Sequence, residues 1–242
     1  KNTLNFGGIF DLHSKNEKLI KMRQLTTDEN FWNDNKTASS QFKVNDLTPK
    51  SEEPTWTILI YGNGDNNLTG NLLLDMLEME HVGSDDNFNV LLQADFDSTY
   101  NELLSKYNIP QNSREHVTRY RIQKSDDLES GKFYTPALEI LNEKDMDDPA
   151  VLKEFLNWGM TNYPADRYGL ILWDHGGQFY GFGGDHQNSQ RSGWSGLFTA
   201  DIRDVLSETI QGNGMKKFDF ISFDTCLMGG VEVLVDFHEF CD

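Results

Sequence analysis

Four short apolar runs, each too brief to be a helix, set the tightest limit on how this chain folds. They read Trp56-Thr-Ile-Leu-Ile-Tyr61, Asn89-Val-Leu-Leu-Gln-Ala-Asp95, Tyr168-Gly-Leu-Ile-Leu-Trp173 and Phe218-Asp-Phe-Ile-Ser-Phe-Asp224. Near-continuous apolar runs of this length are expected of parallel strands covered on both faces. The stretches between them are long enough for helices, and strand–helix–strand units close with a right-handed crossover. Leu72, Leu73, Met76, and Met79 or Leu77 can share one helical face. Asp148 and Pro149 supply an N-cap and a first-turn proline for a helix striped by Leu152, Phe155, Leu156 and Met160. Ile202, Val205, Leu206 and Ile210 mark a further amphipathic helix, and Gly229-Gly230 opens a last one, Val231 to Phe240. His116–Ile122 alternates and reads as an antiparallel edge piece. The fold class expected is α/β, with a mostly parallel central sheet and helices on both faces.

The chain divides into a polar N-terminal extension or linker, residues 1–54, and a core, residues 55–242. The extension is rich in Asn, Lys, Ser and Thr and ends in Pro49, Ser51 and Pro54. Residues 176–197 read as one long loop without periodicity, of the kind that is usually functional. A doubly wound sheet commonly continues with another strand after such a last helix, so the core is expected to lack its C-terminal part.

Charge excludes whole classes of partner. A net charge of −18 argues against nucleic acid, which needs a basic stripe, and against a basic membrane-surface helix. No apolar run is long enough for a transmembrane helix. The sequence starts at Lys1, and a signal peptide is expected to have been removed. Two cysteines, Cys226 and Cys241, make no disulfide framework.

The chemistry gathers at two strand ends. In an open α/β sheet, ligands bind in the crevice outside the carboxyl ends of the strands. His175-Gly176-Gly177 ends the third run and Cys226 ends the fourth. A thiol and an imidazole delivered there form a nucleophile–base pair, so the chain reads as a cysteine hydrolase. A helix opening after the glycine pair would favour thiolate, and a glycine N–H can approach a substrate oxygen closely. The competing reading is a structural thiol and an ordinary loop histidine. Asp224, two residues before Cys226, shares its face in an extended strand. It can anchor a cationic side chain or be satisfied by loop amides.

Other motifs are weaker. Gly62-Asn-Gly-Asp-Asn-Asn67 follows a strand, but lacks the third glycine of a dinucleotide fingerprint, and Asp65 would repel a pyrophosphate. Gly193-Trp-Ser-Gly-Leu197 is out of register for a serine nucleophile elbow. His175, His186 and Cys226 show no zinc spacing. Asp65, Asp95 and Asp97 lie near asparagines but form no EF-hand, and loop caps are the better reading. No metal ligand set is assigned.

Several of these segments together resemble the clostripain family of cysteine peptidases. They are Tyr61-Gly-Asn-Gly-Asp-Asn-Asn-Leu68, Leu77-Glu-Met-Glu80, Val90-Leu-Leu-Gln-Ala-Asp95, Trp173-Asp-His-Gly-Gly177 and Phe223-Asp-Thr-Cys-Leu-Met-Gly229. The resemblance covers roughly residues 55 to 242. The first loop reads Gly-Asn-Gly-Asp where relatives tend to have Ala-Ala-Asp. The resemblance implies a caspase-like sandwich and a dyad of His175 and Cys226. It also implies an oxyanion hole from the N–H groups of Gly176 and Cys226, and Asp224 in the pocket for the residue before the cut (P1). It implies cleavage of proteins and peptides after Arg or Lys, and self-processing between the dyad residues. Calcium serves some members and not others, so no cofactor is required by the resemblance and calcium is compatible with it.

These readings converge on a secreted or envelope-associated bacterial endopeptidase. Its self-cleavage is expected at Arg191–Ser192, in the polar loop that precedes Cys226. The alternatives are a catalytically silent caspase-like interaction module and a nucleotide-binding oxidoreductase using the Gly62 loop.

Overall fold

The computed structural model of the protein describes residues 53–127, 130–186 and 196–242. Nearly all of the N-terminal extension and the Arg191–Ser192 bond lie outside the described residues. The chain runs β1 (Trp56–Gly64), α1 (Thr69–Val82), β2 (Phe88–Phe96), a 3-10 turn (Ser98–Tyr100), α2 (Asn101–Lys106) and α3 (Gln111–Glu115). It continues with β3 (Thr118–Arg121), β4 (Glu139–Ile140), α4 (Pro149–Asn162), β5 (Arg167–Trp173) and a second 3-10 turn (Gln178–Tyr180). Then come β6 (Gly181–Phe182), β7 (Leu197–Phe198), α5 (Thr199–Gly212), β8 (Phe220–Asp224) and α6 (Val231–Phe237).

The main sheet among the described residues has the order β4-β3-β2-β1-β5-β8. Its β2, β1, β5 and β8 strands are parallel, as the four apolar runs require. β3 pairs antiparallel with β2 but is not the edge, because β4 pairs beyond it. From β1 the chain steps first to β2 on one side and later to β5 on the other. The gap between the carboxyl ends of β1 and β5 is therefore the topological switch point, where such sheets bind ligands.

Alternation along the strands builds two cores. Leu59, Tyr61, Leu91, Leu170 and Leu172 face one side and pack with Leu152, Phe155 and Leu156 of α4 and with Ile202 and Leu206 of α5. Ile58, Ile60, Val90, Leu92 and Trp173 face the other side and pack with Leu72, Leu73 and Met76 of α1. Each fully buried aliphatic side chain contributes about 1.5–3 kcal/mol by removal from water. Asp148 caps α4 as expected, accepting from Ala150 N–H at 2.8 Å, with Pro149 at the first position.

Three boundaries differ from the sequence reading. β1 runs on through Gly62, Asn63 and Gly64, which pair with Ala94, Asp95 and Phe96. Residues 176–197 are not one long loop. They hold the second 3-10 turn and β6, which pairs with β7 in a small second sheet. α6 stops at Phe237, three residues early.

Candidate active site

The register of β5 on β8 brings the two strand ends together. Trp173 is paired with Asp224 in parallel. His175 and Cys226 each stand two residues further on, so they leave the sheet side by side. Neither lies within its strand: β5 ends at Trp173 and β8 at Asp224. Cys226 is exposed, on a sharp turn where Leu227 takes a left-handed φ of 66°. That turn, and not the first turn of a helix, carries the thiol, since α6 opens only at Val231.

Gly176 makes the closeness of the two ends possible. A Cβ built on it would overlap the carbonyl oxygen of Cys226 and stand 2.8 Å from Thr225 Oγ1 and Met228 Cγ. The loop after His175 folds back: Gly183 N–H donates to His175 C=O at 3.0 Å and Gly177 N–H to Gly181 C=O at 2.9 Å. These two bonds bracket the Gly176–Phe182 antiparallel bridge. In that pattern Gly176 is the residue not bonded to its partner, and its own N–H points away from the bridge.

Two adjacent asparagines at the end of β1 do different work. Buried Asn66 donates to Asp174 Oδ1 at 2.8 Å and to Gly184 C=O at 2.9 Å, while its own oxygen accepts Leu68 N–H at 2.8 Å. It staples the ends of β1 and β5 across the switch point. Exposed Asn67 places its Oδ1 2.8 Å from His175 Nε2. With an amide oxygen facing it, Nε2 carries the proton and Nδ1 is left with the lone pair. Burial lowers the His175 pKa from the ordinary 6.5, and nearby His186 lowers it further. Burial pushes the neighbouring Asp174 carboxyl well above its usual range, against the opposing pull of the His175 N–H and Asn66.

Asp224 is exposed at the end of β8. Trp173, its register partner, donates Nε1–H to Asp75 Oδ2 of α1 at 2.6 Å. Burial raises the Asp75 pKa. The Trp173 bond pulls it back, and the charges of Asp224 and Glu78 raise it again. Two carboxylates thus share this edge of the cleft.

Asn66, Asn67, Asp174 and Asp75 went unassigned in the sequence reading. The signal for the first three was present as the Asn-Asn pair after β1 and the Asp before His175, but only the pairing of β1 with β5 gives them partners. The dinucleotide reading of the Gly62 loop does not fit. Gly62 and Gly64 are strand residues, and a Cβ on either would meet Leu72 at 2.9 or 2.7 Å. They let α1 lie close to the sheet. Asp97, grouped by sequence with Asp65 and Asp95, caps the first 3-10 turn by accepting Thr99 N–H at 2.8 Å.

This arrangement can be set against known proteins. The clostripain family profile matches residues 60–242. Clostripain from Hathewaya histolytica is 30% identical over 211 residues, which is 81% of this chain and 38% of that protein. A secreted C11 cysteine protease from Bacteroides thetaiotaomicron, solved with an irreversible peptide inhibitor, has a TM-score of 0.57 at 23% identity and covers 78% of this chain and 47% of its own. A C11 protease from Parabacteroides distasonis, solved as an inactive zymogen, gives 0.54 at 25% identity with the same coverage. The chain thus spans less than half the length of these relatives, and it shares their mostly parallel, caspase-like α/β fold.

Proposed function

The chain belongs to the clostripain family of cysteine peptidases, and on that premise we propose that it carries the Cys226/His175 dyad of an endopeptidase cutting after Arg and Lys. One observation carries the reading: the Trp173–Asp224 register, which sends His175 and Cys226 out of neighbouring strands at equal steps.

In this mechanism His175 Nδ1 takes the thiol proton, and Cys226 Sγ attacks the scissile carbonyl carbon. The carbonyl electrons move to oxygen, and the N–H groups of Gly176 and Cys226 receive the oxyanion. His175 gives its proton to the leaving amine as the C–N bond breaks, leaving a thioester. Water, deprotonated by His175, then attacks the thioester, and the acid product leaves as the thiol is regenerated. Asn67 is a positioning residue: it holds the imidazole in the tautomer that leaves Nδ1 free. Asp224 accepts the guanidinium or ammonium group at P1, with Asp75 adding to the negative field.

Self-processing at Arg191–Ser192 belongs to the same reading. It follows from the basic specificity and from the place of Arg191 between the dyad residues in the chain. The relative solved as an inactive zymogen is in keeping with it. We place the enzyme in the secreted or envelope compartment. Among the described residues no helix is long and apolar enough to cross a membrane.

The decisive experiment is labelling with an arginyl covalent inhibitor, followed by mass spectrometry of the modified peptide. Attachment to Cys226, and loss of hydrolysis of basic peptides in Cys226→Ala and His175→Ala, are expected. Undiminished turnover in Cys226→Ala would refute the assignment.

A further inference from the structure

Two turns flank the point where a scissile bond would lie, and each lifts large apolar side chains into water. The first is the 3-10 turn Gln178–Tyr180 on the loop after His175, which buries none of its own residues. Phe179 and Tyr180 are 50% and 59% exposed, with ring centroids 4.4 Å apart. The second is the turn after Cys226. There Leu227 is 64% exposed, and Val231 at the start of α6 is 66% exposed. The two adjoin: a Cβ on Gly176 would meet the Cys226 carbonyl, and the 3-10 turn lies beside α6. Single apolar side chains on a surface need no explanation, but several on adjoining turns at a cleft mark a binding surface.

The backbone supplies a second, separate observation. Among the described residues three non-glycine residues take a left-handed φ: Asn108, Gln178 at 60° and Leu227 at 66°. Asparagine tolerates that conformation, whereas it is disfavoured for Gln and Leu. Such strain persists only where the surroundings over-determine it, and it collects at ligand-binding segments. The 3-10 turn is held in this way. Gly177 N–H donates to Gly181 C=O at 2.9 Å, Tyr180 N–H to Gly177 C=O at 3.2 Å, and Thr199 Oγ1–H to Phe179 C=O at 3.0 Å. None of these bonds uses an aromatic side chain, so the rings are presented by the turn and do not hold it. Aromatic rings on a fixed backbone offer large contact area at small entropic cost.

The two faces of the sheet decide which part of a substrate meets the rings. Ile221 and Phe223 of β8 pack in the core beneath α4 and α5, and Phe220 in the core beneath α1. Alternation therefore directs Asp224 toward the α1 side, where Trp173 bonds Asp75. α6 lies on the other side, since its Val233 and Phe237 belong to the α4–α5 core, and the 3-10 turn lies with it. Successive side chains of an extended peptide point in opposite directions. A substrate whose P1 cation enters toward Asp224 thus turns the side chains on either side of P1 toward α6. Of these two, the residue after the cut (P1′) carries the amine nitrogen that His175 protonates, and the rings follow His175 on the same loop.

We infer that Phe179 and Tyr180, with Leu227 and Val231 beside them, form a P1′ subsite that selects an apolar residue immediately after the cut. The inference rests on the dyad proposed above and adds to it a determinant of specificity independent of charge.

The test compares substrates within each variant of the full chain. Peptides with a fixed Arg at P1 and Leu, Phe, Ser or Asn at P1′ are assayed beside an N-acyl-arginine methyl ester, which has no P1′ residue and reports the dyad alone. Wild type should cleave the Leu and Phe peptides with a kcat/KM about tenfold or more above the Ser and Asn peptides. In Phe179→Ser and Tyr180→Ser that ratio should fall toward one, most completely in the double variant, while Phe179→Leu should keep most of it. Each ratio is taken within one variant, so a general loss of activity cancels. No P1′ preference in wild type, or a preference unchanged in the double variant, would overturn the inference, while ester turnover by the same protein would leave the dyad standing. A wild-type chain that hydrolyses neither ester nor peptides would overturn the dyad, and the subsite with it.

Discussion

The α-carbon of Gly176 lies so close to the carbonyl oxygen of Cys226 that a single methyl group would overlap it. That contact sets the distance between the imidazole-bearing and thiol-bearing turns. Because the obstacle is backbone and not a flexible side chain, Gly176→Ala must push the two turns apart. Misplacement by about 1 Å can cost about a hundredfold in rate. The expected outcome is a loss of at least that size in kcat/KM on basic peptides, with a Tm lowered by only a few degrees. Wild-type turnover in Gly176→Ala would show that the spacing is not critical.

Asn67 should act through His175. Asn67→Ala removes the acceptor at Nε2 and should lower kcat by about ten- to hundredfold with little change in KM. The pH profile separates positioning from mere support. The His175 pKa is lowered from 6.5 by burial and then by His186. The neutral imidazole is the form that accepts the thiol proton, and protonation removes it as pH falls. The acidic limb of kcat/KM should therefore lie below pH 6.5. In Asn67→Asp a carboxylate beside Nε2 would favour imidazolium, and the limb should move to higher pH. An unmoved limb in that variant would remove Asn67 from the mechanism.

Asp224→Asn tests the specificity pocket. The carboxylate is solvent-exposed without substrate, so folding should hardly change. Cleavage after Arg and Lys should fall about ten- to a hundredfold in kcat/KM as the cation loses its charged partner. Steady-state kinetics with Arg, Lys and neutral P1 peptides would decide. Equal losses on all three would assign the pocket to another group.

Leu227 follows the nucleophile with a φ of 66°, a conformation that costs a branched residue about 1–2 kcal/mol. Its side chain is exposed, so Leu227→Gly forfeits little packing and relieves that strain, less the extra entropy of glycine in the unfolded chain. Stability should rise by up to about 1 kcal/mol, and kcat should fall as the turn that presents the thiol loosens. Leu227→Val should destabilise instead. Thermal melts with parallel kinetics check both, and a destabilised Leu227→Gly would contradict the strain account.

Self-processing is read by mass spectrometry of the incubated enzyme. A new N-terminus at Ser192, absent from Cys226→Ala, is expected. Active enzyme that stays whole at Arg191–Ser192, or is cut only within helices or strands, would refute it.

Much of the architecture was legible because it rests on local pattern. Apolar runs of strand length report burial on both faces whatever lies beyond them. The Asp148-Pro149 cap and the stripe from Leu152 to Met160 mark a helix by its own hydrogen-bonding and packing needs. His175 and Cys226 could be singled out because strand ends are where such sheets expose chemistry. What the sequence could not determine depends on which strand lies beside which. The Gly62–Gly64 stretch looked like a loop because glycine has poor strand propensity, yet tertiary packing of Leu72 over a bare backbone makes it strand. Asn66 and Asn67 are neighbours of the same type, and only the placement of β1 against β5 buries one on Asp174 and turns the other to His175. Local sequence determined the elements and the reactive residue types. The long-range register, set by how two cores pack on one sheet, decided which residues meet.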